Sequence, residues 1–366
     1  MTFKINRKSL LNALALGASR SNISKVLQAY TNILLEIKTN GFLYISSCDG
    51  DNSITTKVKV DEFDEVVKAM IEPKIIQSIL KTLQDENVVF AVNGSVCEIL
   101  HEKGKFEIPV LDANEYPILQ NALEGESVKI SSDLLMDYVN DARLFTSNDD
   151  LRPALCGIYM SVGGGIMSVS SSDGHKLFTD SASIDSMLNF DFILANNACG
   201  TLLQLCNESE NIIIYNHNNV VTFRSDTSMY SCRKIEARYP NIQSVIPHDC
   251  PIKVNAIKND IASAIKRSIL TSSTSSNLIC LDIKDNNISI ESENLDFSTS
   301  SQENCYCTHS GDDIKIGVKG SYLDMVLSIL KSDDIPFELT SSNRAIVIKD
   351  NLHPKRVLLL MPLMLD

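Results

Sequence analysis

Asp173-Gly174-His175-Lys176 sets a carboxylate two residues from an imidazole. Those groups could serve as an acid/base pair or as metal ligands, which makes a soluble hydrolase using Asp173 and His175 the enzymatic reading. The simpler reading is a tight turn between the apolar stretches 167–171 and 177–179, because no second His and no nucleophile motif accompanies the pair. Cys305 and Cys307 lack the second pair of ligands that a zinc site needs. Cys199 and Cys206, seven apart on a helical pattern, read as core. Gly163-Gly164-Gly165 reads as a hairpin and not a phosphate loop, since no Lys-Ser/Thr pair opens a helix after it. These residues therefore predict no catalytic site, no metal and no cofactor.

The other unusual stretch is 357–366, which is almost wholly apolar and contains Met361 and Met364. Chain ends are usually polar and frayed. A buried strand explains 357–360. It does not explain 362–365, because Pro362 ends a strand ladder. An apolar, methionine-containing segment laid across a surface reads as half of a binding groove, where flexible thioethers adapt to varied ligands.

The elements that position these residues repeat three times. Tyr116-Pro117, Tyr239-Pro240 and Met361-Pro362 are spaced by 123 and 122 residues. The apolar–Lys–apolar openings at Phe3-Lys4-Ile5, Val128-Lys129-Ile130 and Ile252-Lys253-Val254 are spaced by 125 and 124. A step of that size is too long for a solenoid, so each copy is expected to be a domain with its own core. Expected boundaries give domains at 1–121, 122–248 and 249–366. Each copy opens on a short strand and a helical stripe: Leu10, Leu11 and Leu14; then Leu134, Leu135, Tyr138 and Val139; then Ile261, Ala264, Ile265 and Ile269. A second helix follows, with faces at Ile75, Ile76, Ile79 and Leu80; at Ala198, Leu202 and Leu203; and at Tyr322, Leu323, Val326 and Leu327. The rest is strand-like, with Asn40-Gly41 suited to a type I′ turn and Asn93-Gly94 a second hairpin signal. The expected class is α+β: three similar domains, each with two helices packed on antiparallel sheets, the strand–helix–strands pattern occurring twice in each to give six half-units. 

Composition agrees with folded domains. The chain has 366 residues, 44% hydrophobic, which is ample for several cores. No run of 18 apolar residues predicts a membrane span, and the polar opening predicts no secretion signal. The ten cysteines then read as reduced thiols in a cytoplasmic protein. The net charge of −13 argues against nucleic-acid binding through overall charge.

Ser172-Asp173-Gly174-His175-Lys176-Leu177, the Tyr239-to-Pro247 segment and Leu360-Met361-Pro362-Leu363 together resemble motifs of the bacterial DNA polymerase III β subunit family, the sliding clamps. The opening Phe3-x-Ile5 with Leu10-Leu11, then Asn32 to Leu35, is similar to that family as well. The resemblance covers the whole chain in order. It implies a DNA clamp fold: a head-to-tail homodimer ring of six domains that encircles double-stranded DNA, independent of sequence, and tethers the polymerase catalytic subunit. It implies a clamp loader that opens the ring, with other polymerases and repair factors competing for one groove. Positions matching the groove are Leu155, Ser172, Gly174, His175, Leu177, Pro240, Val245, Leu360, Met361, Pro362 and Leu363. Partners insert a short peptide with a Gln and apolar anchors. Ser172 replaces the family's usual Thr, Ser244 stands where an Arg is common, and Met364-Leu365-Asp366 replaces the usual Arg-Leu ending. Candidate DNA contacts are Arg20, Lys25, Lys74, Lys81, Arg152, Lys266 and Arg267. Asp133, Asp137 and Asp141 on one helix stand against a DNA-facing surface there. The dimer interface is expected to pair Phe106 and Ile108 with Ile269 and Leu270. No cofactor and no metal are implied.

Overall fold

The computed structural model describes residues 2–24, 26–66, 68–84, 86–117, 123 and 125–365. Within them, a strand, a helix and three strands recur six times. The first round is β1 (Thr2–Asn6), α1 (Arg7–Gly17), β2 (Ile33–Ile37), β3 (Phe42–Cys48) and β4 (Asn52–Lys59), followed by the short β5 (Glu62–Phe63). The second is β6 (Lys68–Ile71), α2 (Pro73–Thr82), β7 (Asn87–Asn93), β8 (Val96–His101) and β9 (Gly104–Pro109). The third is β10 (Glu126–Ser131), α3 (Ser132–Ala142), β11 (Gly157–Gly163), β12 (Ile166–Ser172) and β13 (Lys176–Ser183). The fourth is β14 (Phe190–Ala195), α4 (Asn196–Cys206), β15 (Asn211–His217), β16 (Val220–Arg224) and β17 (Ser228–Arg233). The fifth is β18 (Ile252–Ile257), α5 (Lys258–Ile269), β19 (Leu278–Lys284), β20 (Asn287–Asn294) and β21 (Thr299–Ser310). The sixth is β22 (Ile314–Lys319), α6 (Gly320–Ile329), β23 (Asp334–Leu339), β24 (Ile346–Asp350) and β25 (His353–Leu360). The six half-units expected from the sequence are present. The expected boundary near 121 falls at 118–122 and 124, outside the described residues.

The chain forms two compact units, 1–137 with 197–235 and 138–196 with 236–366. The first unit holds a five-stranded sheet, β5-β1-β7-β8-β9, and an eight-stranded sheet, β10-β15-β16-β17-β4-β3-β2-β6. Helices α1 and α2 lay Leu10, Leu14, Ile76 and Leu80 into one core with Ile5, Ile45 and Phe90. These belong to the helical stripes read from the sequence, from which Ile75 departs by being 37% exposed. Asn6 caps α1, accepting from the Ser9 N–H at 3.1 Å, and Pro73 opens α2 where a missing N–H costs little.

The second unit is built on one twelve-stranded sheet, β14-β11-β12-β13-β25-β24-β23-β18-β21-β20-β19-β22. Helices α5 and α6 bury Ile261, Ile265, Leu323 and Leu327. No described helix is long and apolar enough to cross a membrane.

One turn differs from expectation. Gly41 has φ +76 but Asn40 is not in the left-handed region, so the β2–β3 turn is not type I′. Instead Gly41 N–H closes on Lys38 O at 3.0 Å and Lys38 N–H on Phe42 O at 3.2 Å, a longer loop ending in a left-handed glycine. The type I′ pattern occurs at Gly164 and Gly165, φ +59 and +77, between β11 and β12.

Candidate partner-binding groove

β13 and β25 lie antiparallel, with Lys176 opposite Leu360, Leu177 opposite Leu359, Phe178 opposite Leu358 and Thr179 opposite Val357. This four-pair ladder is the seam that brings the Asp-Gly-His turn to the apolar C-terminal stretch. Just beyond it Met361 N–H donates to His175 O at 2.8 Å. Leu177 and Leu359 are buried in a cluster with Cys250, Ala345 and Val347, onto which Ile242 and Ile246 pack. That cluster would be the apolar floor of the candidate groove. The segment carrying Pro240 and Val245 crosses it, and Val245 leaves 54% of its surface exposed. Met361 is 43% exposed at the end of the seam.

Past Pro362 the chain docks on β22. Leu363 N–H donates to Gly317 O at 2.8 Å, an isolated bridge. Gly317 is required there: a Cβ would stand 2.6 Å from Leu363 O and 2.9 Å from a Leu365 methyl carbon. Residues 362–365 therefore lie along β22 past the end of the β25 ladder.

The turn between β12 and β13 is held from within. The Asp173 carboxylate accepts the His175 and Lys176 N–H groups at 2.8 and 2.9 Å and the Lys176 ammonium at 2.7 Å. Ser172 Oγ donates to Lys176 O at 2.8 Å and accepts the Gly174 N–H at 3.0 Å. Gly174 sits at φ +91. The Lys176 ammonium lies over the Tyr322 ring of α6, 4.7 Å from its centroid. Burial would raise the Asp173 pKa, but the Lys176 ammonium and the two backbone donors hold it below the usual carboxylate value. The Tyr322 phenol is raised by burial first and by Asp173 second. A carboxylate so engaged is a structural anchor, and the hydrolase alternative finds no support.

Sequence reasoning missed several contributors. Tyr322 is marked in the sequence only as part of a helical stripe and Tyr239 only as part of a repeated Tyr-Pro pair; neither marks the Lys176 contact or the Tyr159–Tyr239 stack, 5.1 Å between centroids. Arg152, expected at DNA, stands beside the turn: a Cβ on Gly174 would be 2.9 Å from its Nη1. It also pairs with Asp149 at 2.9 Å. Leu155 is buried in the adjacent short helical turn, 9% exposed.

The family models settle the kinship. The N-terminal, central and C-terminal domains of the DNA polymerase III beta subunit match residues 1–120, 129–241 and 243–364. The chain belongs to the DNA polymerase III beta subunit family. It is 23% identical to the beta sliding clamp of Lactococcus lactis over 361 residues, covering 95% of this chain and 94% of that protein. It is 23% identical to that of Rickettsia bellii over 373 residues, 98% of each. Its fold matches the crystal structure of the Pseudomonas aeruginosa DNA polymerase III subunit beta with a TM-score of 0.95, 20% identity and full coverage of both chains.

The residues expected at DNA and at a second copy differ in their exposure. Arg20 differs from expectation. It is 4% exposed, its guanidinium donating to Asn197 O at 2.8 Å and Tyr230 Oη at 3.1 Å beside Asp49 at 3.4 Å. Its charge is spent inside the protein. Lys74 and Lys81 are exposed on α2, seven residues and so about two turns apart on one face. Lys266 is exposed on α5, 4.0 Å from Asp324, and Arg267 is clamped by both oxygens of Glu303 at 2.8 and 2.7 Å. Lys25 lies outside the described residues. Asp141, which counted against a DNA-facing α3, is 3% exposed and paired internally with Arg356. Phe106 is 36% exposed on β9, the edge of its sheet, and stacks on His101. Ile108 is packed into the core and Leu270 is 82% exposed. Ile269 is half-buried.

Proposed function

We propose that the chain is a sliding clamp of DNA replication. Two copies close head to tail into a six-domain ring around duplex DNA and tether the replicative polymerase. The carrying observation is that all three domain models of the family match in order along the chain. The role is topological and non-catalytic: a closed ring cannot leave DNA sideways, and weak, sequence-independent phosphate contacts let it slide. Domains at 1–121, 122–248 and 249–366 would each supply one sixth of a protomer pair. Lys74, Lys81 and Lys266 are the exposed cations we assign to phosphates.

The outer edge of β9 with Phe106 is assigned to residues 299–306 of β21, which pair with β20 ahead of the stretch paired with β18, and to Leu270 of a second copy, a heterologous contact that closes after two subunits. The seam of β13 and β25, with Met361 at its end, is assigned to a peptide carrying a Gln and apolar anchors. The polymerase catalytic subunit, a clamp loader, other polymerases and repair factors would compete for it in the cytoplasm. Removing residues 361–366 tests the groove: polymerase binding should be lost while sedimentation still reports a dimer. Normal polymerase binding by the shortened protein would refute the assignment.

A further inference from the structure

We propose that Arg356 is a positioning residue for the groove, acting by locking the register of the β13–β25 seam. The inference rests on the groove reading above. Arg356 is wholly buried, and Asp141 and Asp180 keep only 4% and 5% of their side chains exposed. Its Nε donates to Asp180 Oδ2 at 2.9 Å and its Nη1 to Asp141 Oδ2 at 2.7 Å. The guanidinium carbon lies over the Phe178 ring, 5.3 Å from its centroid.

The placement matters more than the pairing. Asp180 and Arg356 face each other one step beyond the Thr179–Val357 pair, at the end of the ladder away from the groove. Met361 N–H on His175 O fixes the other end. With four backbone pairs between them, a two-residue slip would keep every side chain on its face yet shift Met361 against His175 by about 7 Å. The planar fork resists that slip, because only one register lets it reach both carboxylates. Its second arm ties the seam to α3, whose Ala142 carbonyl accepts Ser171 Oγ at 2.6 Å, next to Ser172 of the groove. The first unit has a comparable seam, β17 on β4, in which Ser228 opposes Thr56. There a hydroxyl pair at 3.0 Å stands where the second unit has the ionic fork. A seam of this kind therefore forms without an arginine, and the fork marks the one that flanks the groove.

The test measures binding of a fluorescein-labelled peptide carrying a Gln followed by Leu and Phe anchors, by anisotropy, alongside thermal melting. Wild type should bind, and protein lacking residues 361–366 should not; failure here overturns the groove reading and this proposal with it. Arg356→Lys keeps the charge balance but offers a point charge for a fork. It should melt near wild type and bind the peptide about tenfold more weakly. The neutral triple variant Asp141→Asn, Asp180→Asn, Arg356→Met removes the buried charges together, so its fold is retained, and it should bind as weakly as Arg356→Lys. Wild-type affinity in either folded variant overturns the proposal. Loss of the fold in both variants assigns the triad to stability alone and overturns it equally.

Discussion

At the scale of single residues, the Asp173–Lys176 pair decides what the most reactive-looking cluster does. Both side chains are nearly buried, 11% and 9% exposed. Removing one partner leaves an uncompensated charge, which costs about 3–5 kcal/mol when burial is complete. Asp173→Asn should therefore lower stability by about 3 kcal/mol in urea unfolding; a change within about 0.5 kcal/mol would mean the pair is solvated. The sign with pH follows from the depressed carboxyl. Its contribution is complete above the ordinary carboxyl value and is lost as pH falls through the lower folded value. Stability from this pair should stay level down to about pH 4 and decline below it, a trend that Asp173→Asn should abolish. Gly174→Ala should cost about 1–2 kcal/mol for its left-handed backbone and force Arg152 aside. The turn was legible in the sequence because Asp and Gly carry local turn chemistry. Arg20 and Arg356 were not: their partners lie up to 215 residues away in sequence, and no local pattern reports the depth at which an arginine ends.

At the scale of elements, the threefold repeat was legible because each copy must solve the same burial problem, so the same residue types recur at the same offsets. The helical stripes placed α1 to α6 correctly for that reason. Turn type was less legible: Asn-Gly suits several loops, and strand register selected among them at Gly41. The tail reads in the sequence as a segment laid across a surface, and its support on β22 carries no sequence signal. That support gives a direct check. Gly317→Ala would overpack the Leu363 contact, at a cost of about 1–3 kcal/mol. Hydrogen exchange of the Leu363 amide should accelerate and peptide affinity should drop. An unchanged Leu363 amide would show that the tail is not held there.

At the scale of the whole molecule, the charge of −13 says little about any one surface. On the clamp reading, exposed lysines on α2 and α5 would be enough for phosphate contacts that must stay weak. On the proposed interface, assembly would rest on the β9 edge and a few apolar side chains. Phe106→Asp should turn dimers into monomers by sedimentation without altering the far-ultraviolet spectrum; dimers at micromolar concentration would move the interface elsewhere. The most direct measurement of the central claim is retention on DNA. The protein should be loaded by a clamp loader onto a nicked circular plasmid and then passed through a sizing column in high salt. The ring account predicts that it elutes with the circle and is released once the plasmid is cut to a linear form. Equal retention on circular and linear DNA, or release from both, would contradict it.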